Sequence, residues 1–392
     1  MMRRTTCQHA LGIAVTTLAS AALAAPHAFV SLSGGTPESR VVRVIDLETM
    51  AITTTIGNVG DEPGRMVANA DRSQIWLSSW RNTAQGPNEG QVHRIDTRTR
   101  QVADSQVVGI RQNRTIALSP DESRVYTWKT ESVNGVTSLG IAVLDATTLA
   151  EIVVVPISGS GCLQNASQIA VAPDGRIVAA GCQDGLRIVD PVTFTVTTGA
   201  IPPIYGTPIF GFSPDGGEVY VAATTPAVAN GGTGIRAIDL ETGAGTDFHW
   251  EVPVGSPNYP NGSTAARMIV VQRPDDPPGD PTVFFSYGSA FGNPPVAWAR
   301  SSDLAGGIDQ RQRRLIGRAA VGPASSLGAA IDGSVGLGAR LGGMVRLLFD
   351  AADPGQALVA DGAIVALEGV GTLTDIIVVA EPPDAMFADG FD

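Results

Sequence analysis

The chain has 392 residues, 43% of them hydrophobic, 16% charged and 5% aromatic, with 46 Gly and 26 Pro. That density of turn residues works against long helices, and the absence of triplets, heptads or low-complexity bulk excludes collagen, coiled coil and wholesale disorder. The formal net charge is −12 and no basic run interrupts it, so phosphate backbones are repelled and nucleic acid is excluded as a partner.

In chain order, the first element is a leader. Arg3 and Arg4 precede an apolar run from Ala10 to Ala22, and Ala22-Leu23-Ala24 offers a small-residue cleavage site, the pattern of a secretory signal over residues 1–24. The run is too short for a membrane span, and no later stretch replaces it, so an exported chain of the periplasm or the extracellular space is expected. Cleavage removes two arginines and no acids, leaving 24 − 38 = −14. Cys162 and Cys182 are then the only cysteines, flanking a turn at Pro173-Asp174-Gly175, and in an oxidising compartment they are expected to form a disulfide.

From residue 27 onward two marks recur. The first is a short apolar strand ending in Asp, with Thr three residues later. It occurs at Asp46/Thr49, Asp96/Thr99, Asp145/Thr148, Asp190/Thr193 and Asp239/Thr242, spaced by 50, 49, 45 and 49 residues. The second is a turn around Asp71, Asp121, Asp174, Asp215 and Asp275, with weaker copies at Asp332 and Asp384. A β-rich strand follows each of the first six turns: Gln74–Trp80, Arg124–Trp128, Arg176–Ala180, Glu218–Ala222, Thr282–Tyr287 and Ser334–Ala339. His27–Ser33 is such a strand without a preceding turn, while the last turn lacks a full strand after it. Four short strands in about 50 residues describe one β-propeller blade. The expected fold is therefore an all-β, seven-bladed propeller of four-stranded blades over residues 25–384. Its ring is expected to close by pairing the N- and C-terminal strands, with Thr374–Ala380 innermost in a blade completed by residues 27–56. An acidic-aromatic tail, residues 385–392, follows.

The marks also resemble a known family. Ser213-Pro214-Asp215-Gly216 leading into Val219-Tyr220-Val221, then Ala237-Ile238-Asp239-Leu240-Glu241-Thr242, is similar to the YVTN-type, WD-repeat-like propeller repeat of exported bacterial proteins. The resemblance covers residues 27–245 and continues to 384 in weakened copies. It departs at the Asn that usually follows Tyr-Val, where this chain has Ala222 or Trp128. It implies a propeller and, because the family is functionally mixed, no particular activity.

Candidate chemistry is sparse. The recurring Asp and Thr residues are expected to bond their own turns rather than a ligand. Outside the leader the histidines are His27, His93 and His249, in separate repeats, with no metal-ligand spacing or heme attachment motif. No cofactor is identified. Asp275-Asp276 and the other Asp turns could hold calcium, but solvated turn carboxylates are the simpler reading. Long connections, including Thr130–Ser138 and Pro253–Ser263, share one face and leave the tight-turn face smooth, so function is expected on the long-loop face. Trp80, Tyr205, Tyr259, Tyr287 and Phe291 are candidates for its contact surface. Arg65, Arg114 and Arg267 lie where innermost strands begin, 6, 7 and 8 residues before their turn Asp, and could hold an anionic group at the channel mouth. Strand alternation would point Arg114 away from the other two.

These features favour a monomeric binding module for a protein or a small anionic cell-envelope ligand over an enzyme. The alternatives are a propeller lactonase or hydrolase with a metal or acidic site at the channel mouth, and a subunit of a redox complex.

Overall fold

A computed structural model describes residues 27–379, except 35, 37–39, 84–87, 111–114, 135, 158–167, 183–184, 199–204, 214, 225–232, 250–263, 272–275, 281, 289–295, 301–316, 320–323, 330–334, 341–342, 349–358 and 367–371. Beyond residue 177 many positions are described by backbone alone. The leader, Arg114, Cys162, Tyr259, Phe291, the turns at Asp332 and Asp384, and the tail lie outside the described residues.

The described residues form seven four-stranded antiparallel sheets. The first contains β1 (His27–Ser33), β2 (Val41–Asp46) and β3 (Ala51–Ile56). The second contains β4 (Glu62–Ala68), β5 (Gln74–Arg81), β6 (Glu89–Asp96) and β7 (Gln101–Ile110). The third contains β8 (Ile116–Leu118), β9 (Arg124–Val133), β10 (Val136–Asp145) and β11 (Glu151–Pro156). The fourth contains β12 (Ile169–Val171), β13 (Ile177–Cys182), β14 (Gly185–Val189) and β15 (Val196–Thr198). The fifth contains β16 (Tyr205–Phe212), β17 (Glu218–Thr224), β18 (Thr233–Asp239) and β19 (Gly245–His249). The sixth contains β20 (Thr264–Val271), β21 (Thr282–Gly288), β22 (Val296–Arg300) and β23 (Gly317–Ala319). The seventh contains β24 (Ala324–Ala329), β25 (Val335–Arg340), β26 (Gly343–Leu348) and β27 (Val359–Ala366). The last strand, β28 (Thr372–Val379), returns to the first sheet and pairs antiparallel with β1, Ile376 opposite Val30.

Both recurrent marks are turn devices. Asp145 Oδ1 accepts the Thr147 and Thr148 amides at 3.0 and 2.7 Å and the Thr148 hydroxyl at 2.9 Å. Asp46, Asp96, Asp190 and Asp239 each accept the amide of the Thr three residues on. Those amides stabilise the carboxylate form, so the Asp145, Asp190 and Asp239 carboxyls lie below the usual range, led by the bond from Thr148, Thr193 and Thr242 respectively. In the other mark, Asp71, Asp121, Asp174 and Asp215 each accept the amide two residues on, and the residue between them is left-handed.

The core lies in the seams between sheets. Phe29, Val42 and Val44 meet Ile75, Leu77 and Ile95 between the first and second sheets. Trp76 and Val92 meet Val125, Ala142 and Leu144 at the next seam, and Tyr126 and Ile141 meet Ile169, Ile177 and Val189 at the third. Each fully buried aliphatic or aromatic side chain contributes roughly 1.5–3 kcal/mol. Polar staples recur beside them: Trp76 Nε1 donates to Ala146 O at 2.9 Å, and Arg124 Nη1 donates to Pro191 O at 2.8 Å. β28, β4, β8 and β12 touch in succession, which makes them the inner strands, while β3 and β7 carry mostly exposed residues.

Three expectations need correction. Thr130–Ser138 is mostly paired strand: β9 continues to Val133 and β10 starts at Val136, with Thr130 opposite Leu139. Asp276 is buried rather than solvated, because its carboxylate accepts the Thr282 amide and hydroxyl at 2.9 Å. Trp80 is not a surface contact residue; it is 6% exposed at the end of β5, opposite Glu62 and Gly90. Among the described residues no helix is long and apolar enough to cross a membrane.

Candidate functional site at the start of the inner strands

The strand registers align the inner strands residue by residue. Met66 lies opposite Leu77, Ile116 opposite Thr127, Ile169 opposite Ala179, Met268 opposite Phe285 and Ile376 opposite Val30. The residue just before each of these occupies one structural level: Arg65, Thr115, Gln168, Arg267 and Asp375. Arg65 and Arg267 are therefore equivalent. Arg114, one residue before Thr115, belongs to the other strand parity and lies outside the described residues.

Two members of this level do structural work. Asp375, fully buried, accepts the Met66 amide through Oδ2 at 2.9 Å. Thr115, 3% exposed, accepts the Ile169 amide through Oγ1 at 3.0 Å. In both cases an inner-strand side chain receives an amide of the next inner strand, one that its own sheet leaves unused. Hydroxyls from the second strands tie the same level down: Ser31 Oγ donates to Gly64 O at 2.9 Å, Ser78 Oγ to Arg65 O at 3.1 Å and Thr127 Oγ1 to Thr115 O at 2.7 Å. Arg65 itself is half-buried.

At the same end of the sheets, Asp61 pins three connections. Its Oδ1 holds Arg40 Nη1 at 2.6 Å, its Oδ2 accepts the Asn82 amide at 2.6 Å, and its own amide donates to Trp80 O at 2.8 Å. Just inside lies a buried relay. His93 Nε2 is 2.8 Å from Ser79 Oγ, and Nδ1 is 2.7 Å from Ser105 Oγ. Burial pulls the His93 ring down to about 4, so it is neutral at physiological pH. Sequence reasoning did not single out this relay. Its signal is a polar residue on the third strand of the sheet, where Arg43, Arg187 and Arg236 stand in other repeats.

Of the expected site residues, two occupy equivalent places on their inner strands. Arg65 and Arg267 share a level, and Trp80 lies near it but buried. Tyr205 and Tyr287 sit at the corresponding ends of β16 and β21, described by backbone only. Cys182 ends β13 opposite Gly185, while Cys162 lies outside the described residues. Among the described residues no three His, Cys, Asp or Glu side chains gather as a metal site. In chemical terms the level offers, among the described side chains, the half-buried Arg65 beside a buried carboxylate and hydroxyl that are committed to backbone amides.

No protein-family model matches the chain, and no curated protein sequence matches it. Solved structures do. The chain is similar to the periplasmic gluconolactonase PpgL of Pseudomonas aeruginosa, at 14% identity over 91% of this chain and 99% of that one, with a TM-score of 0.66. It is also similar to a proposed 6-phosphogluconolactonase of Bacteroides fragilis, at 14% identity over 91% and 98%, TM-score 0.62. The β-propeller domain of Cps50 (Swd1) from Myceliophteria thermophila matches at 11% identity over 73% and 83%, TM-score 0.50. At these identities the likeness is one of fold, and the fold is a β-propeller.

Proposed function

We propose that the chain is an exported seven-bladed β-propeller of YVTN-like repeats, its ring closed where β28 joins β1, that hydrolyses a sugar lactone at the mouth where its inner strands begin. Two of the similar structures carry lactonase names, one of them periplasmic, which accords with a leader over residues 1–24. The observation within this chain that carries the reading is Arg65, half-buried at the level of the inner strands. In lactone hydrolysis water adds to the carbonyl carbon, the carbonyl oxygen gains negative charge, and the ring C–O bond then breaks to give a hydroxy acid. A fixed guanidinium stabilises that oxygen more in the transition state than in the ground state.

The test is hydrolysis of glucono-1,5-lactone followed by pH-stat, with the spontaneous rate subtracted. The wild-type protein should exceed the spontaneous rate, and Arg65→Ala should lose about 10²–10³-fold of the excess while remaining folded. A folded wild-type protein that adds nothing to the spontaneous rate, with or without a 6-phosphate on the lactone, refutes the hydrolase. A binding module is the second reading, favoured by Asp61, which fixes three connections at this end of the sheets.

A further inference from the structure

Arg65 belongs to a β-bulge. Along β4 and β5, Pro63 lies opposite Ser79 and Met66 opposite Leu77, so Gly64 and Arg65 together face the single residue Ser78. The same step occurs at the same level of β28, where Asp375 faces Ser31 and Leu373 faces Leu32, leaving Thr374 over. β20 repeats it, with Arg267 opposite Ser286, Ala265 opposite Tyr287 and Ala266 left over. Among the described residues, β8 and β12 pair with their second strands without such a step. The bulge is therefore not a fixed property of the repeat. A bulge re-aims a side chain, but it also interrupts the ladder, and the backbone groups it frees need other partners.

In β4 those partners are side chains. Ser78 Oγ accepts the Arg65 amide at 3.1 Å and donates to Arg65 O at 3.1 Å, so one hydroxyl serves both backbone groups of the bulged residue. Asp375 Oδ2 accepts the Met66 amide at 2.9 Å, and Ser31 Oγ donates to Gly64 O at 2.9 Å. Both peptide planes that flank the Arg65 Cα are thus held at each of their polar groups. Gly64 O and the Arg65 amide fix the first plane, and Arg65 O and the Met66 amide fix the second. All three side chains are fully buried, and two of them come from the first sheet. We infer that Ser78 and Asp375 are positioning residues, which fix the backbone of the bulge and thereby hold the Arg65 guanidinium in one place at the mouth. What the guanidinium does there rests on the lactone-hydrolysis reading, whereas the fixing of the bulge rests on the four bonds. Misplacing a group that acts on the transition state by about 1 Å can cost roughly 10²-fold in rate.

The test compares steady-state hydrolysis of glucono-1,5-lactone by wild type, Ser78→Ala, Asp375→Leu and Asp375→Asn. The order parameter of the Arg65 Nε–H group is measured by NMR on the same folded proteins. Leucine removes the acceptor for the Met66 amide, and asparagine keeps one. Ser78→Ala and Asp375→Leu should lower kcat by about ten- to a hundredfold with KM within about twofold, and the order parameter should fall. Asp375→Asn should retain most of both; if Asp375→Leu does not fold, Ser78→Ala carries the comparison. Because the effect runs through Arg65, adding Ser78→Ala to Arg65→Ala should cost nothing further at high enzyme concentration. Wild-type turnover with an unchanged kcat in Ser78→Ala overturns the positioning role and leaves the hydrolase. An equal loss in the Arg65→Ala background also overturns it, since general damage would be the cause. If the wild type does not turn the lactone over, the hydrolase falls and the order parameter decides alone. A lower value in Ser78→Ala then upholds the hold on Arg65, and an unchanged value overturns it.

Discussion

Acidification from pH 7 to pH 4 is expected to withdraw a definable share of stability through one residue, His93. The ring is 2% exposed, its nitrogens are held by Ser79 and Ser105, and burial lowers its pKa from 6.5 to about 4. Above pH 6.5 the ring is neutral in both folded and unfolded chains, and its contribution is complete. As the pH falls, the unfolded chain takes up the proton first, so the contribution drains away between pH 6.5 and about 4. A gap of about 2.5 pKa units at 1.36 kcal/mol each amounts to about 3 kcal/mol. Urea unfolding of wild type and His93→Gln at a series of pH values measures it. The variant should be weaker by about 1–3 kcal/mol at pH 7, where it leaves a serine hydroxyl unpaired. That deficit should shrink or reverse by pH 4, because only the wild type loses the imidazole term. The turn carboxylates also release stability in acid, but equally in both proteins, so the difference isolates His93. Parallel pH profiles, or a folded-state ring seen by NMR to titrate near 6.5, would refute the reasoning.

Other outcomes follow from the same geometry. Thr115→Val keeps the shape but leaves the Ile169 amide without its acceptor, and urea unfolding should register a loss of about 1–3 kcal/mol. Gly60→Ala puts a Cβ 2.5 Å from Ser79 Oγ at a φ of +83°, so the loss should exceed about 1 kcal/mol; an unchanged Tm would count against the described contact. Leu149→Gly relieves a left-handed φ of 56° worth about 1–2 kcal/mol but empties a fully buried site, where truncation costs about 2–5 kcal/mol; Tm should therefore fall. If Cys162 and Cys182 are joined on export, a non-reducing digest of the secreted protein will contain their linked peptides, and free thiols at both positions would dismiss the bridge.

Much of this architecture is readable in the chain because its repeat is written in turn chemistry. Asp and Thr three residues apart mean the same local bond in every copy, and the post-turn strands Gln74–Trp80 and Glu218–Ala222 fall inside β5 and β17. The mouth was harder to read, since counting back from a turn assumes turns of one length. Asp276 reaches forward to Thr282 in a longer turn than Asp71 makes with Ser73, so the counts give Arg65 and Arg267 the same parity but not the same level. Trp80 misleads for a different reason: an aromatic that ends a strand, followed by Arg81 and Asn82, looks open to the loop face, yet Asp61 folds the neighbouring connections over that strand end. The His93 relay leaves almost no trace, because its two serine partners come from different strands and only register brings them together.

The residue four places after each strand-ending Asp has a left-handed backbone: Met50, Arg100, Leu149 and Phe194 at φ of 54°, 56°, 56° and 55°, where only Gly243 is free of the penalty. Three of these side chains land on the preceding sheet. Arg100 reaches His27 Nε2 at 3.1 Å, Leu149 packs with Trp76 and Val92, and Phe194 lies beneath the Arg124 guanidinium at 5.6 Å. A sheet released from its predecessor would keep the strained turn and lose the contact that compensates it. The repeats are therefore poor candidates for excision or for use as separate modules. Growth of the array during synthesis is directional at these three turns as well, since Arg100, Leu149 and Phe194 each lock onto a sheet already made.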